Sequence, residues 1–188
     1  MFFSADRPNY MNYGGIGYVI GHEITHGFDH QGRLFDKKGN LREWWHPETS
    51  DKYMVRTECM IRQYSNYIAD KEARLRIDGL HTIGENIADN GGVMLAYNAY
   101  GRWLANKTEP RLPGLYEYSG RQMFWINAAN IWCSVYRPET LKHIVLTGVH
   151  PPGQYRVIGT FQNQPEFAND FKCPLGSYMN PKKKCKVW

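Results

Sequence analysis

The sequence has no apolar run near the roughly 18 to 20 residues that a membrane-spanning helix needs, and Met1 to Asn12 lack the basic and apolar regions of a signal peptide. Within these 188 residues we therefore expect neither an anchor nor an export signal. There is also no CxxC pair. Cys59, Cys133, Cys173 and Cys185 stand far apart, which excludes a zinc ribbon or a CxxC redox centre and leaves disulfide partners or buried thiols. No basic stripe interleaved with stacking aromatics is present, because the net charge of +5 is scattered apart from Lys182-Lys183-Lys184, which reads as a solvated tail. Nucleic acid is not an expected partner. Internal repeats and low-complexity segments are absent as well.

What is present suits one folded domain over residues 1–188. Hydrophobic residues make up 42% and charged residues 22%, ordinary values for a chain with a packed core. Most periodicity is helical. Ile16, Ile20, Ile24 and Phe28 recur every four residues, with His22 and His26 set roughly opposite them, so we expect a helix that packs its isoleucine stripe and displays its imidazoles. A Gly, Asp, Lys and Asn-rich loop from Asp29 to about Asn40 leads to a turn region at Trp44-Trp45-His46-Pro47. A second helix should then bury Met54, Ile61, Tyr64 and Ile68, up to the break at Asp78-Gly79. A third is expected from Thr82 to Leu104. Ser119 and Gln122 form a capping-box start for a fourth, and Pro138-Glu139 and Pro165 open shorter ones. Tyr155 to Phe161 is the best strand candidate. The expected architecture is mainly α with minor β.

Two constellations carry chemistry. His22-Glu23-Ile24-Thr25-His26 matches HExxH, in which two imidazoles one helical turn apart reach one zinc ion while the adjacent glutamate stands where an attacking water would lose its proton. Alone, the motif is equally consistent with a surface helix that happens to carry two histidines. The second is Gly84-Glu85-Asn86-Ile87-Ala88-Asp89. Glu85 would complete a His2Glu site with one position left open, and Asp89, a turn further on, would hold a ligand imidazole, with His22 its first-choice partner. The competing reading makes Thr82 and Glu85 a capping box. One carboxylate cannot be both a cap and a ligand.

The stretches Asn12-Tyr13-Gly14-Gly15-Ile16-Gly17 and Val19 to Asp29, the segment Gly84 to Gly92, and Cys185-Lys186-Val187-Trp188 together resemble the neprilysin and endothelin-converting-enzyme family of zinc metallopeptidases. The resemblance runs from about Asn12 to the end, in order and at family-like spacing. It implies a zincin fold like the helical half of a thermolysin-like catalytic domain. It implies one zinc ion held by His22, His26 and Glu85, Glu23 as general base, and Asp89 as the group orienting a ligand. It adds His150 as a hydrogen-bond donor to the oxyanion, Arg156 as a grip on a substrate carbonyl, and Val19 and Trp132 as walls of the pocket for the residue after the scissile bond. Tyr18 stands where neprilysin has Met.

The implied activity is hydrolysis of small peptides on the amino side of hydrophobic residues. A catalytically silent zinc-binding or interaction protein on the same scaffold is the alternative. By the same resemblance Cys59 pairs with Cys185, while the equivalents of Cys133 and Cys173 bridge to an upstream region. Family members begin with a cytoplasmic tail, a membrane anchor and a large helical cap, so the chain is expected to be the C-terminal part of a longer protein and to need its N-terminal part as partner. Its expected place is the extracellular face of the plasma membrane, through an upstream anchor, or secretion. Asn106-Lys107-Thr108 is a glycosylation sequon suited to that setting.

Overall fold

The computed structural model describes residues 2–105 and 107–188, so the sequon residue Asn106 lies outside the described residues. Eight α-helices and one two-stranded antiparallel ribbon make up the regular structure there. The chain enters through α1 (Asn9–Asn12) and a π-helical turn, Tyr13–Gly17, that runs directly into α2 (Tyr18–His26). After a 3-10 turn at Gly32–Leu34 come α3 (Pro47–Ser65) and the ribbon of β1 (Ile68–Asp70) and β2 (Leu75–Arg76), with Ile68 opposite Arg76. Then follow α4 (Ile83–Leu104), α5 (Gly120–Asn130), α6 (Pro138–Thr147), α7 (Gly153–Gln162) and α8 (Pro165–Asp170). The expected mainly helical fold with little strand is what the chain adopts.

Helix α4 is the axis of the molecule, buried along most of its length because its apolar, small and amide side chains face neighbours on nearly every side. One core of Tyr18, Val93, Tyr97, Tyr100, Phe124 and Trp125 joins it to α2 and α5, and a second of Tyr53, Met60, Tyr64, Ile83, Ile87 and Tyr155 joins it to α3 and α7. Its seam with α2 is the closest. A Cβ on Gly21 would stand 2.5 Å from the Gly92 carbonyl oxygen, and a Cβ on Gly92 would stand 2.4 Å from the His22 backbone nitrogen. Only glycine at both positions lets the backbones meet, and this contact sets the depth of His22.

Several local signals hold. Ser119 accepts from the Gln122 backbone while the Gln122 side chain accepts from the Ser119 N–H, the expected capping box. Pro138 and Pro165 each begin a helix. Cys59 and Cys185 are bonded, tying the C-terminal segment to α3, and closing that 126-residue separation restrains the unfolded chain by about 4 to 5 kcal/mol in the chain-entropy picture. Cys133 and Cys173 are free thiols, the first exposed.

Three expectations fail, each for a packing reason. Tyr155 to Phe161 is not a strand but the body of α7. Its buried residues, Tyr155, Arg156, Gly159 and Thr160, fall at helical spacing, and Tyr64 of α3 meets Thr160 at 3.3 Å. The short Val157-Ile158 pair imitated a strand. On α3 the buried stripe is Tyr53, Thr57, Met60 and Tyr64, whereas Met54 is 54% exposed and Ile68 lies beyond the helix in β1. Two phenol rings with polar tips share that face with Thr57 and Met60. On α2 the expected sides are exchanged. Ile20, Ile24 and Phe28 are 53%, 58% and 44% exposed, while His22 is 6% exposed. The imidazole side turns inward because the carboxylates and arginine that satisfy it are carried by α4 and α7.

Candidate metal centre

Helix α2 presents His22 and His26 one turn apart, and α4 brings Glu85 against both. His22 Nε2 lies 3.3 Å from one Glu85 oxygen, His26 Nε2 lies 3.5 Å from the other, and the two Nε2 atoms are 3.0 Å apart. Three donors bound at 2.0 to 2.1 Å around a tetrahedral ion stand about 3.3 Å from one another, so the donor set fits a zinc-sized ion without rearrangement. Among the described residues this is the one group of three or more His, Cys, Asp or Glu so gathered. Thr82 does not cap α4 with its side chain; its hydroxyl donates to the Asp78 carbonyl, and Glu85 is left free to face the histidines. The capping-box alternative is thereby removed.

Behind each histidine stands a carboxylate. His22 Nδ1 meets Asp89 at 2.9 Å, and His26 Nδ1 meets Asp29 at 2.6 Å, which orients both Nε2 atoms toward Glu85. Asp29 was not singled out from the sequence, although it follows His26 by three residues, one turn on, where the helix ends. Its second oxygen accepts the backbone N–H groups of Gln31 and Gly32, so the loop after α2 is organised around it.

Arg156 of α7 completes the network from the opposite side. Its Nε and Nη2 each donate to an Asp89 oxygen at 2.8 Å, Nη2 lies 3.5 Å from Glu85, and the guanidinium stacks 3.8 Å from the Trp132 ring centre. His150 Nε2 stands 3.1 Å from Glu85, half exposed at the mouth of the site. Burial alone would raise the carboxyl pKa values of Asp89 and Glu85, yet both are held low: Asp89 first by the Arg156 charge and then by the His22 hydrogen bond, Glu85 by its bond with His22 and the charges of His150 and Arg156. For His22 burial pulls the pKa down, and the bonds with Asp89 and Glu85 outweigh it, pushing it up to about 9. Asp29 also sits low, since its bonds with His26, Gly32 and Gln31 overcome burial.

The structure thus gathers His22, His26, Glu85, Asp89, His150, Arg156 and Trp132 in one network of contacts. Glu23 is exposed on α2 next to His22. Val19 is partly buried and is not among the residues lining the pocket beside Trp132. That pocket, about 390 Å³, is walled by Ile131, Trp132, Tyr136 and Ile144, with His150 and Arg156, the neighbours of Glu85, also lining it. The fully buried Tyr18 packs edge-on against Trp132 at 6.0 Å.

Comparison with known proteins gives one consistent picture. The profile of the family described as Peptidase family M13 matches residues 1–187. Neprilysin-2 of Drosophila melanogaster is 56% identical over the whole chain, which covers 24% of that protein, and neprilysin of Homo sapiens is 49% identical, with 25% covered. The chain therefore spans about a quarter of the length of these relatives. Among solved structures, the zinc metalloprotease Zmp1 of Mycobacterium tuberculosis, in complex with an inhibitor, superimposes with a TM-score of 0.90 at 34% identity, covering all of this chain and 29% of that one.

Proposed function

This chain belongs to peptidase family M13, and from that premise we propose that it forms the metal-binding part of a zinc-dependent endopeptidase that cleaves small peptides. The observation that carries the reading is the convergence of His22, His26 and Glu85 at donor spacing, with each imidazole braced by its own carboxylate. Zinc at such a centre acts as a Lewis acid toward a peptide carbonyl and makes water a stronger acid.

The chain's own residues supply the rest. Glu23, next to His22 and open to solvent, takes the proton of the attacking water and returns it to the leaving amine. His150 donates a hydrogen bond to the carbonyl oxygen as negative charge gathers there, an interaction worth about 3 to 4 kcal/mol in a site that excludes water. Arg156 holds Asp89, and through it His22, while its guanidinium borders the pocket in which a substrate carbonyl would lie. The apolar pocket beside Trp132 receives the side chain after the scissile bond, which makes the preferred cut one on the amino side of a hydrophobic residue.

Since the chain covers a quarter of its relatives' length, we place this activity in the longer protein and read the N-terminal part as its partner in forming the cleft. An extracellular setting, anchored or secreted, accords with the Cys59–Cys185 bond and with relatives named membrane metallo-endopeptidase-like. No helix among the described residues is long and apolar enough to cross a membrane, so an anchor would lie elsewhere. The test is Glu23→Gln in the longer protein: zinc is retained and hydrolysis of a leucine-containing peptide falls about 10²- to 10⁴-fold. Turnover at the unaltered rate would remove the mechanism.

A further inference from the structure

Two pockets border the candidate site, one at His150 and Arg156 and a more polar one at His26 and Glu85. One is the apolar pocket beside Trp132, reached past His150 and Arg156. The other, about 550 Å³, shares His26 and Glu85 with the metal centre. Its floor and sides are His30, His81, Asp78 and Gln31, and no lysine or arginine lines it. Leu80 and Val149, 65% and 48% exposed, stand at its edge. Both volumes are in the range that holds an amino-acid side chain or more.

The polar groups here are only partly used by the fold. Asp78 is exposed and spends Oδ1 on the backbone N–H groups of Leu80 and His81. Gln31 and His81 are exposed too. His30 is seated against Gly84, about 3.0 Å from where a Cβ would be, and its Nδ1 is buried with no hydrogen-bond partner. Burial lowers the pKa of His30, more than the nearby Asp29 raises it, so its ring does not oppose a cation at neutral pH.

Resting on the peptidase reading above, we propose that this pocket receives the substrate side chain before the scissile bond and that it selects lysine or arginine there. A peptide that places its following side chain in the Trp132 pocket, beside His150 and Arg156, would carry its preceding side chain toward the pocket that contains His26 and Glu85. A long cationic side chain matches what it meets: an aliphatic stem along Leu80 and Val149, and a charged head within a ring of carboxylate, amide and imidazole acceptors. An acidic side chain would face Asp78, and no lysine or arginine lines the pocket to offset it.

The experiment uses the longer protein and synthetic peptides that share leucine after the scissile bond and carry lysine, leucine or glutamate before it. Cleavage is measured on the wild type. Affinity is measured by calorimetry on the Glu23→Gln variant, so that binding is read without turnover. The proposal expects the lysine peptide to bind and be cleaved about fivefold better than the glutamate peptide, a ratio set by one attractive and one repulsive exposed charge contact. Asp78→Asn, which keeps an oxygen for the two backbone N–H groups and removes the charge, should bring that ratio below twofold. Equal handling of lysine and glutamate by the wild type overturns the pocket assignment while leaving the peptidase reading intact, and this holds even if Asp78→Asn does not fold. Failure to bind or cleave any of the three peptides overturns both.

Discussion

Along α2, one side carries His22 and Thr25 at 6% and 4% exposure, and the other carries Ile20 and Ile24 at more than 50%. The polar side is the buried one. It can be buried because its histidine and threonine have partners: His22 has Asp89 and Glu85, and the Thr25 hydroxyl donates to the Gly21 carbonyl at 2.7 Å, while the Tyr18 hydroxyl on the same side is buried without one. The apolar side borders an uncovered depression formed with Leu95, Met94 and Trp188. The comparison teaches that an amphipathic period identifies two faces of a helix, while the side that is turned inward depends on which neighbours can satisfy it.

The sharpest way to break this contrast is to remove the partner that lets the polar side be buried. Asp89→Ala takes from the buried Arg156 and His22 their closest carboxylate, leaving them only the longer contacts with Glu85, and it should cost about 3 to 5 kcal/mol in denaturant unfolding. A loss below about 1 kcal/mol would mean that the network is not what holds this face in. Smaller, but aimed at the same seam, is Gly92→Ala. Its methyl group would press on the His22 backbone, and a cost of about 1 to 3 kcal/mol together with weaker zinc binding is expected from thermal melting and metal titration. Unchanged zinc affinity would separate helix spacing from the metal centre.

How much of this was legible beforehand differs between the two faces as well. HExxH and Glu85-x-x-x-Asp89 are local patterns, so the gathering of His22, His26 and Glu85 and the partner of His22 were readable, as was the span of α4 and the box at Ser119. Whatever depends on distant packing was not. The outward turn of Ile20 and Ile24, the tyrosine stripe of α3 and the helical state of Tyr155 to Phe161 are each decided by neighbours far away in sequence. His150 and Arg156 came from family resemblance alone, since a single histidine beside two prolines or a single arginine carries no periodic signal. Asp29 had a usable signal, its position three residues after His26.

The metal-free inner face should also titrate. With its pKa pushed up to about 9, His22 holds in the folded chain a proton that the unfolded chain gives up near 6.5. That contribution is complete below pH 6.5 and is lost as pH rises toward 9, so melting in the presence of a chelator should show a falling midpoint over this window. A flat profile would show that the Asp89 and Glu85 bonds do not hold the proton. The smallest effect belongs to the outer face. Ile24→Lys in this 188-residue chain should change stability by no more than about 0.5 kcal/mol, and a loss above about 1 kcal/mol would show that the stripe is covered after all.

The account rests on three side chains from α2 and α4 forming one metal site. Crystals grown with zinc and measured at its absorption edge test that directly. One strong anomalous peak bounded by His22 Nε2, His26 Nε2 and the Glu85 carboxylate is the predicted result. Ordered side chains with no peak between them, or a peak held by other residues, would contradict it.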